Sequence, residues 1–185
     1  MAKAKPTWAD VKAKLAGANP KDFINLVRDM YEATKDNQVF LHARFGLVDD
    51  PLATYKATID RWMWPDAFSR ENPSVAKAKQ AISAYKKAVG DARGLAELMV
   101  FFCEQGAGFC ADLGYQEDSY FNALCLIFQQ ALKVIAGLPQ EEQDEFLTRL
   151  HVVRDTSQRF GYGVEDFMDG QLAGYEDRSK RKVGK

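Results

Sequence analysis

Two histidines, three cysteines and a few clustered carboxylates are the residues here with chemical potential, and their spacing decides what they can do. A metal needs several ligands converging within about 2–2.5 Å of one ion. Neither His42 nor His151 has a carboxylate three residues before it, so the Glu-x-x-His pattern of di-metal helical bundles is absent. No His-Glu-x-x-His or Cys-x-x-Cys occurs either. Both histidines read as surface or hydrogen-bonded residues, and no metal or cofactor is expected. A nucleophilic Ser or Cys needs a base beside it. Cys103, Cys110 and Cys125 fall on apolar stripes, where a thiolate is disfavoured, and there is no Gly-x-Ser-x-Gly. Glu165, Asp166 and Asp169 would serve acid–base chemistry only if burial raised one pKa; their polar, Gly-flanked segment reads as a solvated face. No catalytic residue is assigned.

Three features remain as candidate contact sites. Arg44 lies in Phe40-Leu-His-Ala-Arg-Phe45, among residues that favour burial. A partly buried Arg needs an anion, either an internal carboxylate or an external carboxylate or phosphate. His42, two positions away, points elsewhere on a helix. Arg44 and His42 are therefore candidate contacts for an anion or a partner. The corner Trp62-Met63-Trp64-Pro65 places two tryptophans where a helix must stop, as core-edge residues or as interface anchors. The C-terminal run contains Arg178, Lys180, Arg181, Lys182 and Lys185, five positive charges in eight residues. It suits counterion release on nucleic acid or contact with acidic proteins, but it lacks the interleaved aromatics that stack on bases. Lys77, Lys79, Lys86 and Lys87 extend this basic character, or form an ordinary solvated face. A flexible tail over 176–185, beyond a single helical domain of 1–175, is the expectation.

The elements that must position these residues are helices. Leu95, Leu98, Met99, Phe102, Cys103, Gly106, Phe109, Cys110 and Leu113 recur at three- and four-residue steps, giving a wide apolar stripe on a central helix. Within it, Gly106-Ala-Gly108 predicts a close helix neighbour or a bend, since each helical glycine costs about 1 kcal/mol. Phe121, Leu124, Cys125, Phe128, Leu132 and Ile135 form a second stripe after a short connection, so the two helices should pack antiparallel. Thr7 with Asp10, Asn19-Pro20, Asp50-Pro51 and Asn72-Pro73 all read as helix starts. The stripe of the second helix is Phe23, Val27, Met30, Tyr31 and Thr34. Phe40, Leu41 and Phe45 are available for burial in the next, with Gly46 as a left-handed stop. A last turn or two is expected over 164–172. No alternating run reads as a strand. The predicted fold is all-α: one irregular bundle of about seven to eight helices, with a short α-solenoid as the alternative.

Composition sets further bounds. The 185 residues are 46% hydrophobic and 28% charged, ordinary for a folded domain, and the net charge of −1 gives no global attraction to nucleic acid or membrane. An odd cysteine count without framework spacing argues for free thiols in a reducing compartment. Cys103 and Cys110, seven apart on one helix, stand roughly 10 Å apart, too far to bridge. No run approaches about 18 uncharged apolar residues, and the basic start has no apolar stretch behind it. A cytoplasmic location and no membrane contact are expected.

The segment Thr34-Lys-Asp-Asn-Gln-Val-Phe-Leu-His-Ala-Arg-Phe45 resembles the "SK-x-N-x-x-FL-x-ARF" signature of a bacterial family of uncharacterised helical proteins, a domain of unknown function. Glu97–Phe109, Ser119-Tyr-Phe-Asn-Ala and Gln130-Ala-Leu-Lys-Val-Ile135 resemble that family's second half. The likeness spans about residues 20–170. It departs at Thr34, where serine is commoner, and at Trp62–Trp64, which is this chain's own version. The resemblance implies a helical fold and no site residues.

Three functions follow as expectations. The first is a non-enzymatic interaction module binding a protein partner or itself. The second is a nucleic-acid-associated regulator working through the basic tail, with steep salt dependence. The third is a small-ligand or enzymatic site around Arg44, requiring a concave pocket and a perturbed carboxylate facing that arginine.

Overall fold

The first unpaired N–H groups of a helix need acceptors, and short polar side chains supply them at several helix starts. The computed structural model describes residues 5–66 and 71–183, with side chains to Ser179. Thr7 and Asp10 form a reciprocal capping box at α1 (Trp8–Leu15), and Asn19 and Asp22 form another at α2 (Pro20–Ala33). Thr34 caps α3 (Lys35–Arg44), and Asp50 accepts from Leu52 and Ala53 at α4 (Pro51–Met63). α5 (Val75–Ala88) starts two residues later than Asn72-Pro73 suggests, with Ser74 as its N-cap. Asp91 accepts from Gly94 at the head of α6 (Ala92–Leu113), and Gly114 ends that helix with φ of 64°. Then come α7 (Asp118–Ile135), α8 (Gln140–Ser157) and α9 (Val164–Val183). Among the described residues there are nine helices and no strand, so the fold is all-helical.

α6 is the axle. Every residue from Gly94 to Val100 is buried, so this helix is covered on all sides at that level. α7 and α8 pack on it, α4 and α5 cover other faces, and α9 closes against α7 and α8. A solenoid would stack each helix pair only on its neighbours. Here four helices surround one, which is a bundle. Ile59, Met63, Leu98, Phe102, Leu124, Phe128, Phe146 and Leu150 are among its fully buried side chains.

Gly106 and Gly108 on α6 and the aromatic corner are one feature. A Cβ on Gly106 would stand 3.1 Å from Met63 Cε, and one on Gly108 would stand 2.5 Å from Trp64 Cζ3. The end of α4 thus lies on bare α6 backbone. Tyr120 on α7 locks it there, donating a 2.7 Å hydrogen bond to the Met63 carbonyl. That carbonyl, in the last turn of α4, has no partner of its own within the helix.

Several expectations need correction. The apolar stripe of the second helix is not buried: α2, like α1, contains no buried residue. Phe45 is 65% exposed rather than buried. The last turn or two is a full helix, whose backbone runs past Tyr175 to Val183. No helix among the described residues is long and apolar enough to cross a membrane.

Candidate functional site

The capping box at Asn19 fixes where α2 begins and hence which residues share a face. At 100° per residue, Phe23, Ile24, Leu26, Val27, Met30 and Tyr31 fall within an arc of about 160°. A stripe that wide normally faces a core. Here Ile24 is 63% exposed and Met30 51%, with Phe23, Leu26 and Val27 also exposed. Only Tyr31 is half-buried.

α2 is held by α3, its one substantial neighbour among the described residues. Asn37 donates its side-chain amide to the Met30 carbonyl at 2.6 Å, and Gln38 donates to the Tyr31 carbonyl at 3.2 Å. These amides satisfy carbonyls of the last turn of α2, which have no acceptor role left inside the helix. The Tyr31 hydroxyl lies 3.1 Å from His42 Nε2. α3 in turn packs on α4 and α5, with Ala43 buried and Val39 and Phe40 against the core. The result is a hairpin arm anchored through α3. Between its two helices runs an open groove of about 440 Å³, lined chiefly by Ile24, Val27, Tyr31, Leu41, Phe45 and Leu47, with Arg28 and His42 at its edge. Phe45, Leu47 and Val48 extend exposed apolar surface beyond the end of α3.

The sequence-derived candidates fall in different places. His42 joins the arm as the partner of Tyr31. Arg44 is exposed, not partly buried, with its guanidinium 5.7 Å from the centre of the Phe40 ring and no carboxylate paired to it among the described residues. A helix can place apolar neighbours on one side of α3 and turn Arg44 to water; sequence adjacency says little about shared environment. Trp62 and Trp64 are half-buried. Arg61 and Lys77 sit 5.0 and 3.4 Å from the Trp62 ring centre, and Trp64 meets Phe109 edge-on at 6.3 Å. The corner is core edge. Arg178 is exposed on α9, while the side chains of Lys180, Arg181, Lys182 and Lys185 lie outside the described residues.

A cluster that motif reading missed joins three helices. Arg149 on α8 donates to both oxygens of Glu97 (2.5 and 3.1 Å) and both of Glu104 (2.7 and 2.8 Å) on α6. Lys56 on α4 reaches Glu97 at 2.6 Å. Burial pushes the Glu97 carboxyl up, but the hydrogen bonds from Arg149 and Lys56 outweigh it and hold the group below the usual range. The cluster is closed on itself, with the charges of both carboxylates met by the two cations, and it serves to clamp α8 and α4 to α6. Two acids seven residues apart within the apolar run of α6 were the available signal. Among the described residues no group of three or more His, Cys, Asp or Glu is placed to hold a metal.

A second cleft of about 570 Å³ lies among α3, α4 and α5, beside Trp62 rather than Arg44. Tyr55, on its wall, has a buried hydroxyl with no hydrogen-bond partner. The thiols are free, with Cys103 and Cys110 buried and Cys125 half-buried. Burial pushes the Cys110 thiol up to about 12 and that of Cys103 well above its ordinary value.

Compared with family models, with curated proteins and with solved structures, the chain matches none.

Proposed function

We propose that this protein is a non-enzymatic helical interaction module, acting in the cytoplasm, whose docking surface is the apolar face of α2 with the α2–α3 groove. One observation carries the reading: a capped, amphipathic helix whose apolar side, apart from half-buried Tyr31, faces solvent while its C-terminal carbonyls are held by Asn37 and Gln38. Contiguous exposed apolar surface of this kind marks contact sites. The hydrogen bonds keep the face presented, which lowers the ordering cost of binding. The small-ligand reading around Arg44 has less support, because that side chain stands in solvent with no perturbed carboxylate facing it.

The test is site-specific photo-cross-linking in cells. A photoreactive residue replacing Phe23 or Met30 is expected to trap discrete protein adducts, and the same residue replacing Glu32, on the polar side of α2, is not. Equal, featureless labelling from all three positions, or no adduct from Phe23 and Met30, would reject the reading.

A further inference from the structure

Resting on that docking reading, we infer that the occupant of the α2 face is a second copy of this chain, paired in parallel about a two-fold axis running along α2. The Leu26–Met30 edge of each copy enters the α2–α3 groove of the other.

The first support is exposed apolar surface. Phe23, Ile24, Leu26, Val27 and Met30 on α2 and Phe45, Leu47 and Val48 beyond α3 are all exposed in the single chain, and contiguous exposed apolar surface of this kind marks contact sites.

The second is charge. Lys21 and Arg28 lie just beyond the Ile24–Tyr31 edge of the apolar arc, on the groove side, and Asp22 and Asp29 lie beyond the opposite, Leu26 edge. Lys21, Arg28 and Asp29 have no ion-pair partner among the described residues. In a parallel pair, opposite flanks of the two helices meet; in an antiparallel pair, like flanks meet. Parallel pairing therefore sets Lys21 and Arg28 of one copy beside Asp22 and Asp29 of the other. The levels match, since the two basic residues and the two acidic residues each stand seven apart and only one position out of step. Antiparallel pairing would set acid on acid and base on base.

The third is reciprocity. A two-fold contact requires each patch to fit its complement on the same chain. The arm has both halves: an apolar groove with Arg28 at its edge, and a projecting apolar edge, Leu26 and Met30, backed by Asp29.

Sedimentation equilibrium of the full chain over about 1–100 µM tests this. Wild type is expected to be a dimer. Leu26→Asp is expected to be monomeric with unchanged helical circular dichroism, since Leu26 is exposed in the single chain. Asp29→Lys and Arg28→Glu alone should each weaken dimerisation about tenfold, and an equimolar mixture of the two should recover the wild-type constant, because each then meets opposite charge. A monomer throughout that range overturns the inference, as does an Asp29→Lys constant equal to wild type, which marks an unrelated contact, or one tighter than wild type, which marks antiparallel pairing. Cross-linking separates the two levels: a monomer whose Phe23 position traps a different protein overturns self-pairing alone, and a monomer that traps nothing overturns the docking reading too.

Discussion

Trp64 lies against the bare backbone of Gly108, its Cζ3 atom 2.5 Å from the place a Cβ would take. The helix that the core is built around therefore contains a position whose lack of a side chain is required by a ring from another element. That relationship explains the glycine at position 108, costly in any helix, in the most buried one of this fold.

Substitution of glycines by alanine should rank by what the new methyl meets. Gly170→Ala in α9 meets nothing within 4 Å and should stabilise by up to about 1 kcal/mol through helix propensity. Gly106→Ala meets the flexible ends of Met63 and Leu124 at 3.1 and 3.3 Å and should be close to neutral. Gly108→Ala must displace an indole and should destabilise by about 1–2 kcal/mol. In a Trp64→Ala background the same change should turn stabilising. Urea unfolding of the set checks the order.

Arg149→Met removes the cation that Glu97 and Glu104 share and leaves Glu104 without its guanidinium and Glu97 with Lys56 alone among the described residues. The expected loss is about 3 kcal/mol, because breaking a part-buried ionic cluster strands charge. Arg149→Lys keeps the charge but not the planar fork that reaches both acids, and should fall between. Adding Glu97→Gln and Glu104→Gln to Arg149→Met should recover part of the loss. Thermal unfolding gives all three values.

The same cluster sets a pH response. The Glu97 carboxyl is held below its ordinary 4.5 in the folded chain. A depressed folded value contributes stability that is present above the unfolded value and is lost as pH falls through the folded one. Unfolding free energy should therefore drop as pH falls below about 4.5, and Glu97→Gln should flatten that slope. A slope unchanged in the variant would assign the acid sensitivity to other groups.

Thiol chemistry should be silent in the native state. With Cys110 raised to about 12 and Cys103 raised by burial, then by Glu104 and Cys125, neither forms thiolate near pH 8. A raised folded value means this contribution is intact below the ordinary 9.0 and is lost as pH climbs toward 12. Reaction with an aromatic disulfide at pH 8 should be confined to slow modification of Cys125 until the chain is unfolded in denaturant, when three thiols react. Fast labelling of Cys103 in the folded protein would contradict the burial described above.

The residues themselves determined the all-helical class, most helix starts and the central position of α6, because caps, stripe periods and continuous apolarity act within a few residues of one another. Asn19, Asp50 and Asp91 cap where their neighbours require it. What a stripe faces is decided at long range. Phe23 and Val27 carry the same periodicity as Leu124 and Phe128, yet one pair stands in solvent and the other is buried, since periodicity defines a face without naming its cover. Arg44 and Arg149 reverse in the same way: the arginine set among apolar neighbours points to water, and the one on an acidic, unremarked helix bridges the core. Tertiary structure made those choices, because burial depends on which helices meet, and that is settled by contacts between residues fifty positions apart.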